Sequence, residues 1–165
     1  MATVKAKSSE ASVSGREIVV SRVFDAPREL VWKAWSDPAH VSEWWGPRGF
    51  TTTTHEIDFR PGGVWRHTMH GPDGTDYPSM CVFHEIVKPE RVVYSLNGGK
   101  KGIGDVQAEV IWIFEAQGEK TKLTLRMLFS SSASREHVAR EYGAREGGVQ
   151  TLERLEEYLA TSAAR

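Results

Sequence analysis

Asp25-Ala26-Pro27-Arg28-Glu29-Leu30-Val31-Trp32-Lys33-Ala34-Trp35-Ser36-Asp37-Pro38, closing at Trp44-Trp45-Gly46-Pro47, is the stretch that decides the fold. It predicts a strand exit, a short helix, a tight break, a second short helix and a stop. Asp25 is placed to cap the first helix, with Pro27 in its first turn, where the missing N–H costs nothing. Val31, Ala34 and Trp35 share one face at helical spacing. Asp37 caps the second helix with Pro38 at its first position, and Gly46-Pro47 ends it because proline cannot continue the ladder. Two short helices that carry four indoles close over something large, either a packed core or a ligand cavity.

Outward from this stretch the pattern is period two. Glu17 to Phe24 is β-branched and apolar and predicts the strand before the helices. Strands follow at Thr51 to Arg60, Val64 to His70, Tyr77 to Val87 and Arg91 to Leu96, with turns at Pro61-Gly62-Gly63, Gly71-Pro72-Asp73-Gly74 and Lys88-Pro89-Glu90. Asn97 to Asp105 is rich in glycine and lysine and is expected to be a flexible loop. Val106 to Ala116 and Lys120 to Phe129 predict a hairpin through Gln117-Gly118-Glu119. Helical spacing returns from Ser134 to about Ala160, where Val138, Tyr142, Val149, Leu152, Leu155 and Leu159 form a stripe opposed by charge. Gly143, Gly147 and Gly148 interrupt it and mark a bend or a close approach of helix to sheet.

With 165 residues, 39% hydrophobic and 26% charged, the chain is one domain able to bury a sizeable core. The expected layout is a disordered tail over 1–15, the domain over 16–160 and a short C-terminal tail over 161–165. The net charge of −1 gives no footprint for nucleic acid and no polybasic patch for a membrane. No signal peptide or membrane span is visible, and the lone Cys81 allows no internal disulfide, so a cytoplasmic location is expected. A meander with one amphipathic helix implies an α+β fold, a curved antiparallel sheet wrapped around the final helix with a cavity between them.

Several stretches together resemble a known family: Arg22-Val23-Phe24-Asp25-Ala26-Pro27, Val31-Trp32-Lys33-Ala34-Trp35, Trp44-Trp45-Gly46-Pro47, Asp58-Phe59-Arg60-Pro61-Gly62-Gly63-Val64-Trp65, Glu85-Ile86-Val87-Lys88-Pro89-Glu90-Arg91-Val92-Val93-Tyr94 and Leu152-Glu153-Arg154-Leu155-Glu156-Glu157-Tyr158-Leu159. In this order they look like the family related to the C-terminal domain of the heat-shock-protein-90 ATPase activator. The resemblance covers about residues 16 to 160. It implies the START-like, polyketide-cyclase-like helix-grip fold, with two short helices after the first strand. Many relatives carry Gly-Trp before the leucine repeat of the last helix, whereas this chain has Gly147-Gly148-Val149. The absent indole leaves room between helix and sheet, or the space is filled by Trp65 or Trp112. The co-chaperone's separate N-terminal domain has no counterpart in the short stretch before residue 16, which ranks ligand binding ahead of a co-chaperone-like role.

Alternation places Trp65, His67 and Met69 inward, with Arg66 and His70 outward. Cys81, Phe83 and Glu85 share a parity. With Tyr77, Trp112, Phe114, Leu125, Met127, Tyr142 and Val149 they are expected to line the concavity, with Trp44, Trp45 and Phe50 at its mouth. The alternative is that these residues simply fill the core. His67 and His70 are three apart and so face opposite sides of a strand, which argues against a shared metal site. His67 with Glu85 or Tyr77 is the candidate acid–base pair of a cyclase- or hydrolase-type enzyme. Cys81, mid-strand and without a basic neighbour, reads as an inert thiol. The expected partner is a small hydrophobic molecule, with no cofactor, no metal and a possible homodimer.

Overall fold

The computed structural model describes residues 9–99, 106–161 and 164 of the chain. Eight strands form one antiparallel sheet: β1 (Glu10–Ser14), β2 (Glu17–Phe24), β3 (Thr51–Ile57), β4 (Val64–His70), β5 (Asp76–Val87), β6 (Arg91–Gly98), β7 (Val106–Gln117) and β8 (Lys120–Leu128). Their order is β1-β2-β8-β7-β6-β5-β4-β3, so β1 and β3 are the open edges. Helices α1 (Arg28–Ser36) and α2 (Pro38–Trp44) join β2 to β3, and α3 (Ser132–Tyr142) and α4 (Ala144–Leu159) close the chain across the sheet. This is the helix-grip arrangement that the family resemblance implied.

The helix starts follow local chemistry. The Asp37 carboxylate accepts from the backbone N–H of Ala39 at 2.9 Å and starts α2, as expected. Asp25 does not cap α1. The N-cap is Pro27, whose carbonyl accepts from Leu30 and Val31 while its side chain offers no acceptor. The single C-terminal helix of the sequence pattern is two helices. Gly143 takes a left-handed φ of 57°, which ends α3 and redirects the chain into α4. Ser131 starts α3 by accepting from the N–H of Ser134 at 3.1 Å.

Two further expectations are corrected. Residues 10–14 are not a disordered tail. They form β1, paired with β2 from Glu10 opposite Ser21 to Ser14 opposite Glu17, with Ala11 and Val13 packed on the core. The strand is short and its alternation pairs small residues with polar ones, so its apolar signal is weak. The β6 strand runs on to Gly98, into the stretch expected to be loop. The expectations for residues 1–8, for the lysines at 100 and 101 and for most of the C-terminal tail lie outside the described residues.

Register shifts between Thr54 and Glu56 in β3 and between Phe83 and Glu85 in β5 bend the sheet. The concave face holds the core, in which Trp35 is central. Its ring meets those of Trp45, Phe59, Trp65, Phe83, Tyr94 and Trp112 at centroid distances of 5.6 to 6.4 Å. Trp44 donates its indole N–H to the Ala34 carbonyl at 3.0 Å, fixing α2 on α1. In α4, Leu152, Leu155 and Leu159 are buried. No helix among the described residues is long and apolar enough to cross a membrane.

Candidate functional site

The four indoles of the opening stretch divide between the two roles. Trp32, Trp35 and Trp44 are core. Trp45, one residue past α2, turns toward a partly open cavity of about 260 Å³ bounded by the concave sheet, α3, α4 and the 45–50 segment. Arg154 of α4 holds that segment in place. Its Nη1 donates to the carbonyls of Trp45 (3.2 Å), Gly46 (2.9 Å) and Pro47 (3.1 Å). Arg48 beside it pairs with Glu157 and Glu153 on the outside of the same helix.

Of the residues expected to line a concavity, Trp45, Phe50, His67, Met69, Tyr77, Trp112, Leu125, Met127 and Tyr142 do so. Phe50, Tyr77 and Tyr142 form a cluster on one side, with ring centroids 5.5 Å and 6.3 Å apart along the series. Trp44, Trp65, Cys81, Phe83 and Phe114 face inward but lie in the core instead, without reaching the cavity. Val149 is half-buried beside the stripe; its neighbour Gly148 takes the wall position. Glu85 is outside altogether. The β5 bulge places one extra residue, His84, in the strand, and this reverses the parity that Cys81 and Phe83 had set. The Glu85 carboxylate meets Arg91 at 2.7 Å on the exposed surface, and Ile86 packs inward in its stead.

Other wall residues escaped the sequence reading. Ser79 shares parity with Tyr77 and Cys81, and Tyr94, Leu96 and Gly98 follow on β6, all facing the cavity. Alternation carried that signal, but polar Ser79 and the glycines did not draw notice as lining. Gly147, Gly148 and Thr151 bring α4 to the opposite wall. Tyr94 accepts from the Trp112 indole N–H at 3.1 Å, and burial holds its phenol well above the ordinary range.

The chemistry of the wall is apolar with few polar groups. Among the described lining residues Glu141 is the one with a formal charge. His67 is 2% exposed, stacked on Trp65, and its Nδ1 has no hydrogen-bond partner among the described residues. Burial first, and the nearby His55 second, lower its pKa to about 3, so the ring is uncharged at neutral pH. His70 lies on the opposite face, between Thr53 and Asp76, as strand parity requires. Burial raises the Cys81 thiol well above its usual value.

The family model for the Activator of Hsp90 ATPase homolog 1-like protein matches residues 25–160. The chain belongs to this family. Solved structures share its fold. A protein from Arthrobacter aurescens is 25% identical, with a TM-score of 0.85 over 97% of this chain and 95% of that one. A Mycobacterium smegmatis protein is 21% identical, with a TM-score of 0.82 over 94% and 97%. The AHSA1 protein of Silicibacter pomeroyi is 21% identical, with a TM-score of 0.71 over 87% and 97%. None of the curated proteins matches the chain.

Proposed function

We propose that the protein binds a small, mostly hydrophobic molecule in the cavity between the sheet and α4. The observation that carries this is the cavity itself, about 260 Å³ walled by aromatic and aliphatic side chains with a few polar groups. Small-molecule sites have this composition and begin at roughly 300 Å³. The size therefore favours a ligand of one or two rings over a bulky lipid. Burial of the ligand's apolar surface supplies the affinity, at roughly 25 cal/mol per Å² before the losses of association.

A cyclase- or hydrolase-type enzyme is the second reading, and the site supports it less. Glu85 faces solvent, away from His67. A general base works best with a pKa near the operating pH, and that of His67 is about 3. A co-chaperone-like role calls for an exposed apolar patch. Among the described residues the large hydrophobic side chain that stands exposed is that of Val87.

Native mass spectrometry of freshly purified protein tests the binding reading together with titration of the protein by naphthalene, followed by tryptophan fluorescence. A co-purifying small molecule, or saturable quenching by naphthalene, is expected. Absence of both sinks the proposal.

A further inference from the structure

The polar groups of the cavity wall are not scattered. His67 of β4 and Ser79 of β5 are direct cross-strand partners, and both line the cavity. Directly opposed side chains on one face have Cβ atoms about 5 Å apart, so the ring and the hydroxyl act on the same small volume. Both residues are buried, at 2% and 8% exposure. A buried polar atom without a partner is costly, and His67 carries one in Nδ1. The next strand comes close at this spot. Gly98 of β6 stands opposite Ser79, and a β-carbon there would lie 2.6 Å from the Pro78 carbonyl oxygen and 2.7 Å from the Ser79 Oγ, so the approach of the two strands admits no side chain at residue 98 beside that hydroxyl.

Resting on the ligand-binding reading, we infer that His67 and Ser79 form a subsite for the hydroxyl group of an uncharged, ring-shaped apolar ligand. A neutral imidazole has one donor and one acceptor nitrogen, and a serine hydroxyl both donates and accepts. A ligand hydroxyl also does both, so it pairs with either tautomer of His67. A carboxylate offers acceptors alone and brings a charge into an apolar cavity, where desolvation opposes it. No lysine or arginine lines the cavity among the described residues to offset that charge. The rings of Trp45, Trp112, Phe50 and Tyr142 supply flat apolar contact for the rest of the molecule.

Three probes of one skeleton separate these features: naphthalene, 2-naphthol and 2-naphthoate, each titrated calorimetrically against the full chain at pH 7. The expected order is 2-naphthol tightest, about five- to tenfold above naphthalene, the yield of one net hydrogen bond, with 2-naphthoate weakest. In Ser79→Ala and in His67→Leu the preference for naphthol over naphthalene, each referred to that variant's own naphthalene affinity, should fall to within about twofold. Near-ultraviolet circular dichroism checks that each variant is folded, and Ser79→Ala, the smaller change, carries the test if His67→Leu is not. Equal binding of naphthol and naphthalene to the parent overturns the subsite and leaves the cavity reading standing. So does tightest binding of naphthoate, or a preference that survives in the folded variants. Failure of all three probes to bind the parent overturns both.

Discussion

Gly148 of α4 lies so close over Val20 of β2 that a β-carbon at residue 148 would stand 3.0 Å from the Val20 Cγ2. Val20 is fully buried and β-branched, so it has little rotamer freedom with which to yield. The same glycine faces the cavity. Close approach and open volume, alternatives from the sequence, therefore occur at one residue. Gly148→Trp should lower stability by about 1–3 kcal/mol through overpacking and also abolish naphthalene binding. Urea denaturation and probe titration check the two effects. A more stable variant, or one that still binds, would show that the helix stands farther from the sheet.

Removal of residues 2–14 should lower the melting temperature by several degrees. The deletion strips β1 from β2, loses the packing of Ala11 and Val13, and removes the hydrogen bond from Arg22 to the Ser9 hydroxyl. Loss of ~1 kcal/mol already moves the midpoint by about 2–4 °C in domains of roughly this size. A thermal scan with an unchanged midpoint would mean that β1 adds nothing to stability.

Leu152→Ala should cost about 2–5 kcal/mol, since the side chain is fully buried within the α4 stripe. Chemical denaturation reads this directly, and a loss below ~0.5 kcal/mol would place the residue outside the core.

The fold was legible in the sequence wherever an element kept one period from end to end. The α1–α2 stretch, β4 and the β7–β8 hairpin did so, and parity put His67, Met69, Trp112 and Met127 on the inner face. Parity failed at Glu85, because a bulge inserts one residue and reverses every side chain after it. Nothing in Cys-Val-Phe-His-Glu marks that insertion. Strand β1 was missed for a different reason: at a sheet edge, small and polar residues satisfy the ladder as well as apolar ones do. Which inward rings reach the cavity and which stop in the core depends on distances between layers. Trp65 and Trp45 are 4.7 Å apart between centroids, yet one is core and the other wall.

Arg154→Met keeps the aliphatic stem and deletes three hydrogen bonds to the carbonyls of Trp45, Gly46 and Pro47. Charge-assisted bonds of this kind contribute about 1.5–3 kcal/mol, less here because the group is partly wet. The expected outcome is a modest loss of stability with a larger gain in the dissociation rate of 2-naphthol, because the mouth segment loses its anchor on α4. Stopped-flow displacement measures the rate. An unaltered rate would assign Arg154 to stability alone.

The last prediction concerns acid. The pKa of His67 is about 3 in the folded protein, lowered by burial and then by His55, against 6.5 for an ordinary histidine. Between these values the unfolded chain binds a proton that the folded protein refuses. Stability therefore falls as the pH drops from about 6.5 toward 3, with a slope of about 1.4 kcal/mol per pH unit from this group. Above pH 6.5 both states hold the neutral ring and the contribution is flat. Carboxylates add slopes of their own, so the comparison is between the parent and His67→Leu, which has no group to titrate at that place. Urea denaturation at pH 7.5, 6, 5 and 4 should show the parent losing stability relative to the variant below pH 6.5, and no change in the difference above it. A constant difference from pH 7.5 to 4 would mean that His67 is protonated as readily in the folded protein as in the unfolded chain.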